Sequence, residues 1–314
     1  MRVLVTGSLG FDYIMDFSGR FGDRIDPDNV HKISLSFLVD SLNKQFGGTA
    51  GNIAYSLNLL GCDALIQSCG GNDFAPYKAF LKTSGLSTKY IKEIDSVTTG
   101  TYFVVTDKDD NQIGSFYKGA LAFNKSLALS DVSEKLDFVI IAPNDLAATK
   151  QYVKDAKAHK IPYLYDPAFQ IGDFTPEDLQ AGIAGCEVLI GNDYEIDLIQ
   201  SKLGVSHEEL LVMGPKVVIT TLGSKGSILE SRNDAVHVGV AKPKNISDPT
   251  GAGDAYRSGF LAGYLRNWDL KVCGQMGAVA AAYTVEKYGT VTHTYTKAQF
   301  EKRYKDNFGT VIKL

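Results

Sequence analysis

Short apolar runs of strand length alternate with segments of helical period along most of the chain. Residues 2–6 read as a strand. Residues 49–60 read as a helix, with Ile53, Leu57 and Leu60 on one face and Gly61 at its stop. Strands are predicted at 64–68, 138–142, 162–165, 187–190 and 217–221, with helices at 75–84 and 146–159 among them. Parallel strands need a crossover, and a helix supplies it. The order therefore predicts an α/β fold, a mostly parallel central sheet flanked by helices. The last third reads as helical, over 253–266, 270–286 and 296–304.

Two segments interrupt the alternation. Residues 14–46 mix charges and aromatics without a helical period. Residues 98–117, TTGTYFVVTDKDDNQIGSFY, are two strand-like runs around an Asp-Asn turn, a hairpin signal. Together they predict a small antiparallel β lid over a large domain made of 1–13, 47–97 and 118–314.

Bulk properties exclude several functions. The net charge is −4 and the pI about 5.8, with no basic stripe, so the footprint of a nucleic-acid binder is missing. No apolar run approaches the ~20 residues of a membrane span, and the run in MRVLVTGS is too short for a leader, so a cytoplasmic protein is expected. Cys62, Cys69, Cys186 and Cys273 form no C-x-x-C pair, and the histidines are scattered, which gives no support to a zinc or Ser-His-Asp hydrolase.

The stretch VLVTGSLGFDYI begins like a dinucleotide-binding turn, but Tyr13 stands where the third glycine belongs and Asp12 would repel a pyrophosphate in the turn. A carboxylate there suits hydroxyls instead, above all a vicinal diol such as a ribose 2′,3′ pair. Further on, GGTAGN places Gly47 and Gly48 where backbone can approach a ligand, with Asn52 one turn into the helix that follows. In DPTGAGDAYRSGF, Gly251, Ala252 and Gly253 open a helix whose free N–H groups form an anion hole. Asp254 follows at once. A carboxylate beside an anion site makes sense as a general base on a hydroxyl that attacks phosphorus. In NDYE, Asn192 and Glu195 either order water around Mg²⁺ or form a capping box. TTLGSKG, with Thr221, Gly223, Lys225 and Gly226, suits a nucleotide-contacting loop or a plain hairpin turn. No Walker A loop is present.

GGTAGN, N-x-x-E, T-x-G-x-x-G and D-x-T-G-A-G-D, in this order over nearly the whole chain, resemble the ribokinase-like (PfkB) family of carbohydrate and nucleoside kinases. VTGS at the start, HKISLSFLVD at 31–40, SFY at 115–117, GNDYE at 191–195 and the sequence around Arg257 are similar to its bacterial adenosine kinase branch. The resemblance implies an ATP- and Mg²⁺-dependent transfer to the 5′-hydroxyl of adenosine. Asp12, Gly47, Gly48 and Asn52 would hold the ribose, Ser8 would lie near the base, and Phe37, Tyr102 and Phe116 would stack around the purine. Asp254 would act as base beside the anion hole, Asn192 and Glu195 would hold Mg²⁺ through water, and Thr221, Gly223, Lys225 and Gly226 would contact the nucleotide. Pro249 stands where many members have Thr, which puts the family's nearby K⁺ site in question. Tyr102 stands where relatives have Phe, and its hydroxyl bears on the choice among adenosine, inosine and guanosine. A sugar kinase or broader nucleoside kinase of the same family is the alternative, and a silent nucleotide-binding sensor another; the intact Asp254 argues against silence. No interface is legible, which leaves the oligomeric state open, a homodimer included.

Overall fold

The computed structural model describes residues 1–26, 32, 34–109 and 111–314. Part of the HKISLSFLVD stretch, including His31 and Ile33, lies outside the described residues. In chain order the strands are β1 (Arg2–Thr6), β2 (Gly10–Asp16), β3 (Ser41–Gly47), β4 (Asp63–Gly71), β5 (Ile91–Ile94), β6 (Gly100–Thr106), β7 (Gln112–Tyr117), β8 (Phe138–Ile141), β9 (Tyr163–Tyr165), β10 (Val188–Asn192), β11 (Val217–Thr221), β12 (Ser227–Glu230) and β13 (Ala235–Val238). The helices are α1 (Thr49–Leu59), α2 (Ala75–Thr83), α3 (Leu146–Ala158), α4 (Pro176–Ile183), α5 (Asp193–Leu203), α6 (His207–Val212), α7 (Ala252–Tyr264), α8 (Leu270–Val285) and α9 (Lys297–Phe308).

The large sheet has the order β13-β12-β11-β10-β9-β8-β1-β4-β5. From β11 to β5 every pairing is parallel, and β12 and β13 add an antiparallel edge. Strand β1 sits inside it, and Val3, Leu4 and Val5 are all sealed from solvent, as a parallel strand covered on both faces requires. Side chains of opposite pleat build two cores. Val3 and Val5 pack with α1, α7, α8 and α9, while Leu4, Val139 and Val218 pack with α3, α4 and α5. Helices α7 and α8 cross closely. A Cβ on Gly259 would lie 2.4 Å from Met276 O, and one on Gly277 would lie 2.8 Å from the Tyr256 ring.

The second sheet has the order β3-β2-β6-β7; its outer pairs are antiparallel and its central β2–β6 pair parallel. It starts at Gly10, ahead of the boundary expected at 14, and β3 runs to Gly47. Asp12 therefore lies within a strand and not in a turn. The period-two run Phe11, Tyr13, Met15 against Asp12, Ile14, Asp16 is the cause; next to the buried β1 it reads as a continuation of the turn.

Candidate active site

The motifs collect at the carboxyl ends of the parallel strands, where an open α/β sheet places its ligands. Gly7 and Ser8 follow β1, Asp166 follows β9, Asn192 ends β10 and Thr221 ends β11, with Asn192 and Thr221 opposite one another in register. The lid contributes a row across its sheet. Asp12 stands opposite Gln45 and Tyr102, and Tyr102 stands opposite Phe116, so the four share one face. Exposure rises along that row: Asp12 is 9% exposed and Phe116 41%.

Asp12 is buried, and among the described residues it has no ion pair. Burial pushes its carboxyl up to about 7, and the negative charges of Asp254 and Asp248 add to the shift. Gly47 makes this position possible, because a Cβ there would fall 2.1 Å from Asp12 Oδ2. Gly47→Ala is expected to displace the Asp12 carboxylate and to weaken binding of the hydroxyl-bearing substrate at least about tenfold, with ATP affinity unchanged. Calorimetric titration with each ligand checks this.

On the other side, Gly251 caps α7 in the left-handed conformation (φ 78°) and Asp254 lies in the first turn. The Ala252 N–H turns back to Pro249 O at 3.2 Å, and the N–H groups of Gly251, Gly253 and Asp254 have no acceptor among the described residues. Ala252 is thus a weaker anion-hole donor than its neighbours. Asn52 Nδ2 donates to Asp254 Oδ2 at 2.8 Å, and Thr290 Oγ1 donates to Asn52 Oδ1 at 2.7 Å. Burial pushes the Asp254 carboxyl up to about 6, against the pull of Arg257 and the Asn52 hydrogen bond. Asn52 thus holds the base candidate through its amide nitrogen. Thr290 carried no sequence signal, since it lies in a loop with no motif of its own.

Four other candidates make local contacts. Ser8 Oγ accepts from Thr49 N at 3.1 Å and so caps α1, preceded there by Gly48 at φ 89°. Phe37 packs on Phe17 and Phe21, each at a ring separation of 5.0 Å. Asn192 and Glu195 form a reciprocal capping box: Asn192 Oδ1 accepts from Glu195 N and Glu195 Oε2 accepts from Asn192 N, both at 2.8 Å. Burial raises the Glu195 carboxyl further, and Asp166 adds to it. The loop of Gly223, Lys225 and Gly226 is the β11–β12 hairpin, closed by Leu222 N donating to Gly226 O at 2.8 Å. Gly226 at φ 93° runs against Val238 O and so serves that turn, while Thr221 faces the Asn192 end of β10.

Sequence reasoning missed the partner of Arg257. Its Nε lies 2.6 Å from Asp166 Oδ2, both side chains being nearly sealed. Arg257 was visible in the motif, three residues after Asp254. Asp166 had only its place after a predicted strand.

The chain matches the pfkB family of carbohydrate kinases over residues 19–297. It is 33% identical to a nucleoside kinase of Methanothermobacter thermautotrophicus over 98% of this chain and 96% of that protein. Its structure is similar to that of Burkholderia thailandensis nucleoside kinase in complex with inosine (TM-score 0.91, 30% identity, 99% of this chain and 100% of that one). It is also similar to the nucleoside kinase of Methanocaldococcus jannaschii, an archaeal member of the ribokinase family (TM-score 0.87, 28% identity, 97% and 98%). The chain belongs to the pfkB family and is a ribokinase-like phosphotransferase, acting on an alcohol group of a nucleoside or sugar.

Proposed function

We propose that the chain transfers the γ-phosphoryl group of ATP to the 5′-hydroxyl of purine nucleosides, adenosine among them, giving the 5′-monophosphate and ADP. The observation that carries this is the row Asp12–Tyr102–Phe116: a buried carboxylate for a vicinal diol, continuous with aromatic surface broad enough for a base. A simple sugar would use Asp12 and leave Phe116 without a role. Phe116 stands open to solvent, and this favours tolerance at the base over a fit to adenosine alone. The inosine complex of the Burkholderia protein points the same way. Asp254 takes the hydroxyl proton, and the N–H groups of Gly251 and Gly253 hold the phosphoryl oxygens.

Mg²⁺ fits the acidic end of the site, where burial and the negative charge of Asp166 raise the Glu195 carboxyl. Among the described residues no group of three His, Cys, Asp or Glu could ligate a metal. The ion would be held by phosphate oxygens and by waters on Glu195 and Asn192, and it supplies neutralisation of phosphate charge. Both oxygens of Asp248 accept backbone N–H groups, from Thr250 at 2.9 Å and from Gly289 at 3.0 Å. A K⁺ ion at this loop would draw mainly on backbone carbonyls. Among the described residues no helix is long and apolar enough to cross a membrane. A cytoplasmic place, where ATP and free nucleosides meet, goes with the proposal.

The test is ADP release from ATP and Mg²⁺ with adenosine, inosine, guanosine, cytidine, ribose and fructose. Turnover with the purine nucleosides well above the sugars is expected. Turnover with ribose or fructose alone would replace the reading with a sugar kinase, and silence with ATP still bound would replace it with a sensor. Phe116→Ala is expected to raise KM for adenosine about tenfold or more and to leave any ribose turnover unchanged; parallel loss with both would remove Phe116 from the base site.

A further inference from the structure

Arg257 lies one turn into α7 from Asp254, on the same side of the helix. Its side chain is 11% exposed and that of Asp166 1%, and their contact runs through Nε. A Cβ on Gly253 would come within 2.7 Å of Arg257 Nη1. Asp166 therefore grips the guanidinium through Nε, and Nη1 lies against Gly253 in the first turn of α7. Three carboxylates act on this one cation: Asp166, Asp254 and Glu195. A buried ion pair is at best a weak source of folding energy, so folding stability does not account for its place at the site. Its placement puts a guanidinium fork at the one point in the site where negative charge must collect.

We propose that Arg257 is a further catalytic residue, whose Nη edge contacts the non-bridging oxygens of the phosphoryl group in transit, and that Asp166 is the positioning residue that holds it. The inference rests on the reading of the α7 N-terminus as the phosphoryl site, though not on which nucleoside is the acceptor. In the step, the acceptor oxygen bonds to the γ-phosphorus while the bond from that phosphorus to the β–γ bridging oxygen breaks. The hydroxyl proton passes to Asp254 and the electron pair departs on ADP. The equatorial oxygens carry negative charge throughout, and a planar fork of donors matches two of them. Backbone N–H groups alone would have to do this beside the like charge of Asp254; the arginine offsets that charge.

The test uses the full chain with Arg257→Met, which keeps the length of the side chain, Arg257→Lys, which keeps the charge, and Asp166→Asn. Turnover at saturating ATP and adenosine, adenosine Kd and melting temperature are measured, with and without added guanidinium ion. Arg257→Met is expected to lose about 10³-fold in kcat with adenosine Kd within about threefold, and guanidinium ion is expected to recover at least about tenfold of it. Arg257→Lys should lie between the two, and Asp166→Asn should lose kcat with KM unchanged. Should Arg257→Met not fold, the Lys and Asn variants carry the same comparison. A kcat for Arg257→Met near that of wild type would overturn the proposal. So would losses that run in parallel in kcat, Kd and melting temperature, unrelieved by guanidinium. Wild-type protein inactive with every acceptor would instead overturn the reading of the site as a whole, and this inference with it.

Discussion

Asp254→Asn is expected to lower kcat by about 10³-fold while adenosine Kd stays within about threefold. The substitution keeps the size of the side chain and removes the proton acceptor. Affinity should survive because Asp12, on the lid, makes the hydroxyl contacts in the proposed complex. Asn52 donates to Asp254 Oδ2, and the amide oxygen of the new Asn can accept the same bond. A pH profile separates the base role from a merely electrostatic one. The Asp254 carboxyl stands at about 6 instead of 3.8 because it is buried. As a base it must be ionised, so wild-type turnover should fall as pH drops through about 6. That limb should be missing from the residual activity of Asp254→Asn. Full activity in the variant, or an unchanged limb, would remove Asp254 from proton transfer.

Asp12→Asn should act on binding. A carboxylate that accepts from two hydroxyls gives two charge-assisted hydrogen bonds, each about 1.5–3 kcal/mol. Their loss is expected to raise adenosine Kd at least about 100-fold, with a smaller change in kcat. The same variant should be more stable than wild type in the absence of ligand, and the sign follows from proton linkage. Folding raises the Asp12 carboxyl from 3.8 to about 7, so between those values the native chain holds a proton that the unfolded chain has released. Wild-type stability therefore falls as pH rises through this window, and Asn, which does not titrate, escapes the loss. At pH 8 the variant should be the more stable by more than about 1 kcal/mol; near pH 4 the two should match. Denaturant unfolding at both pH values checks this, and equal stability at pH 8 would mean that Asp12 is not held as a strained anion.

Much of the scaffold was legible because its determinants are local. Strands β1, β8 and β11 are short apolar runs, and α1 and α7 announce themselves by glycine and by period. The lid hairpin was legible from its turn. Less visible were β12 and β13, whose pairing depends on the antiparallel edge that Gly226 makes possible, and β2, hidden by its junction with β1. Within the site, the residue types at strand ends pointed to phosphoryl transfer. What each side chain touches was not local. Asn52 reaches Asp254 across 202 positions of sequence and Thr290 across 238; nothing in a single chain's pattern encodes such distances. Asn192 and Glu195 show the converse. Their spacing fitted both a metal role and a capping box, and the fold shows the box as formed.

The close crossing of α7 and α8 has a consequence for anyone who alters this protein. Gly259 and Gly277 leave no room for even a methyl group between the helices, and Asp254 rides at the end of α7. A side chain added at the crossing would slide α7 and carry the carboxylate away from Asn52, and a misplacement of about 1 Å can cost about 100-fold in rate. Turnover here is therefore a sensitive gauge of scaffold alignment. Random libraries screened for activity alone will enrich and deplete substitutions at a helix crossing that no substrate reaches, and maps drawn from such screens will show a site larger than the one that touches ligand.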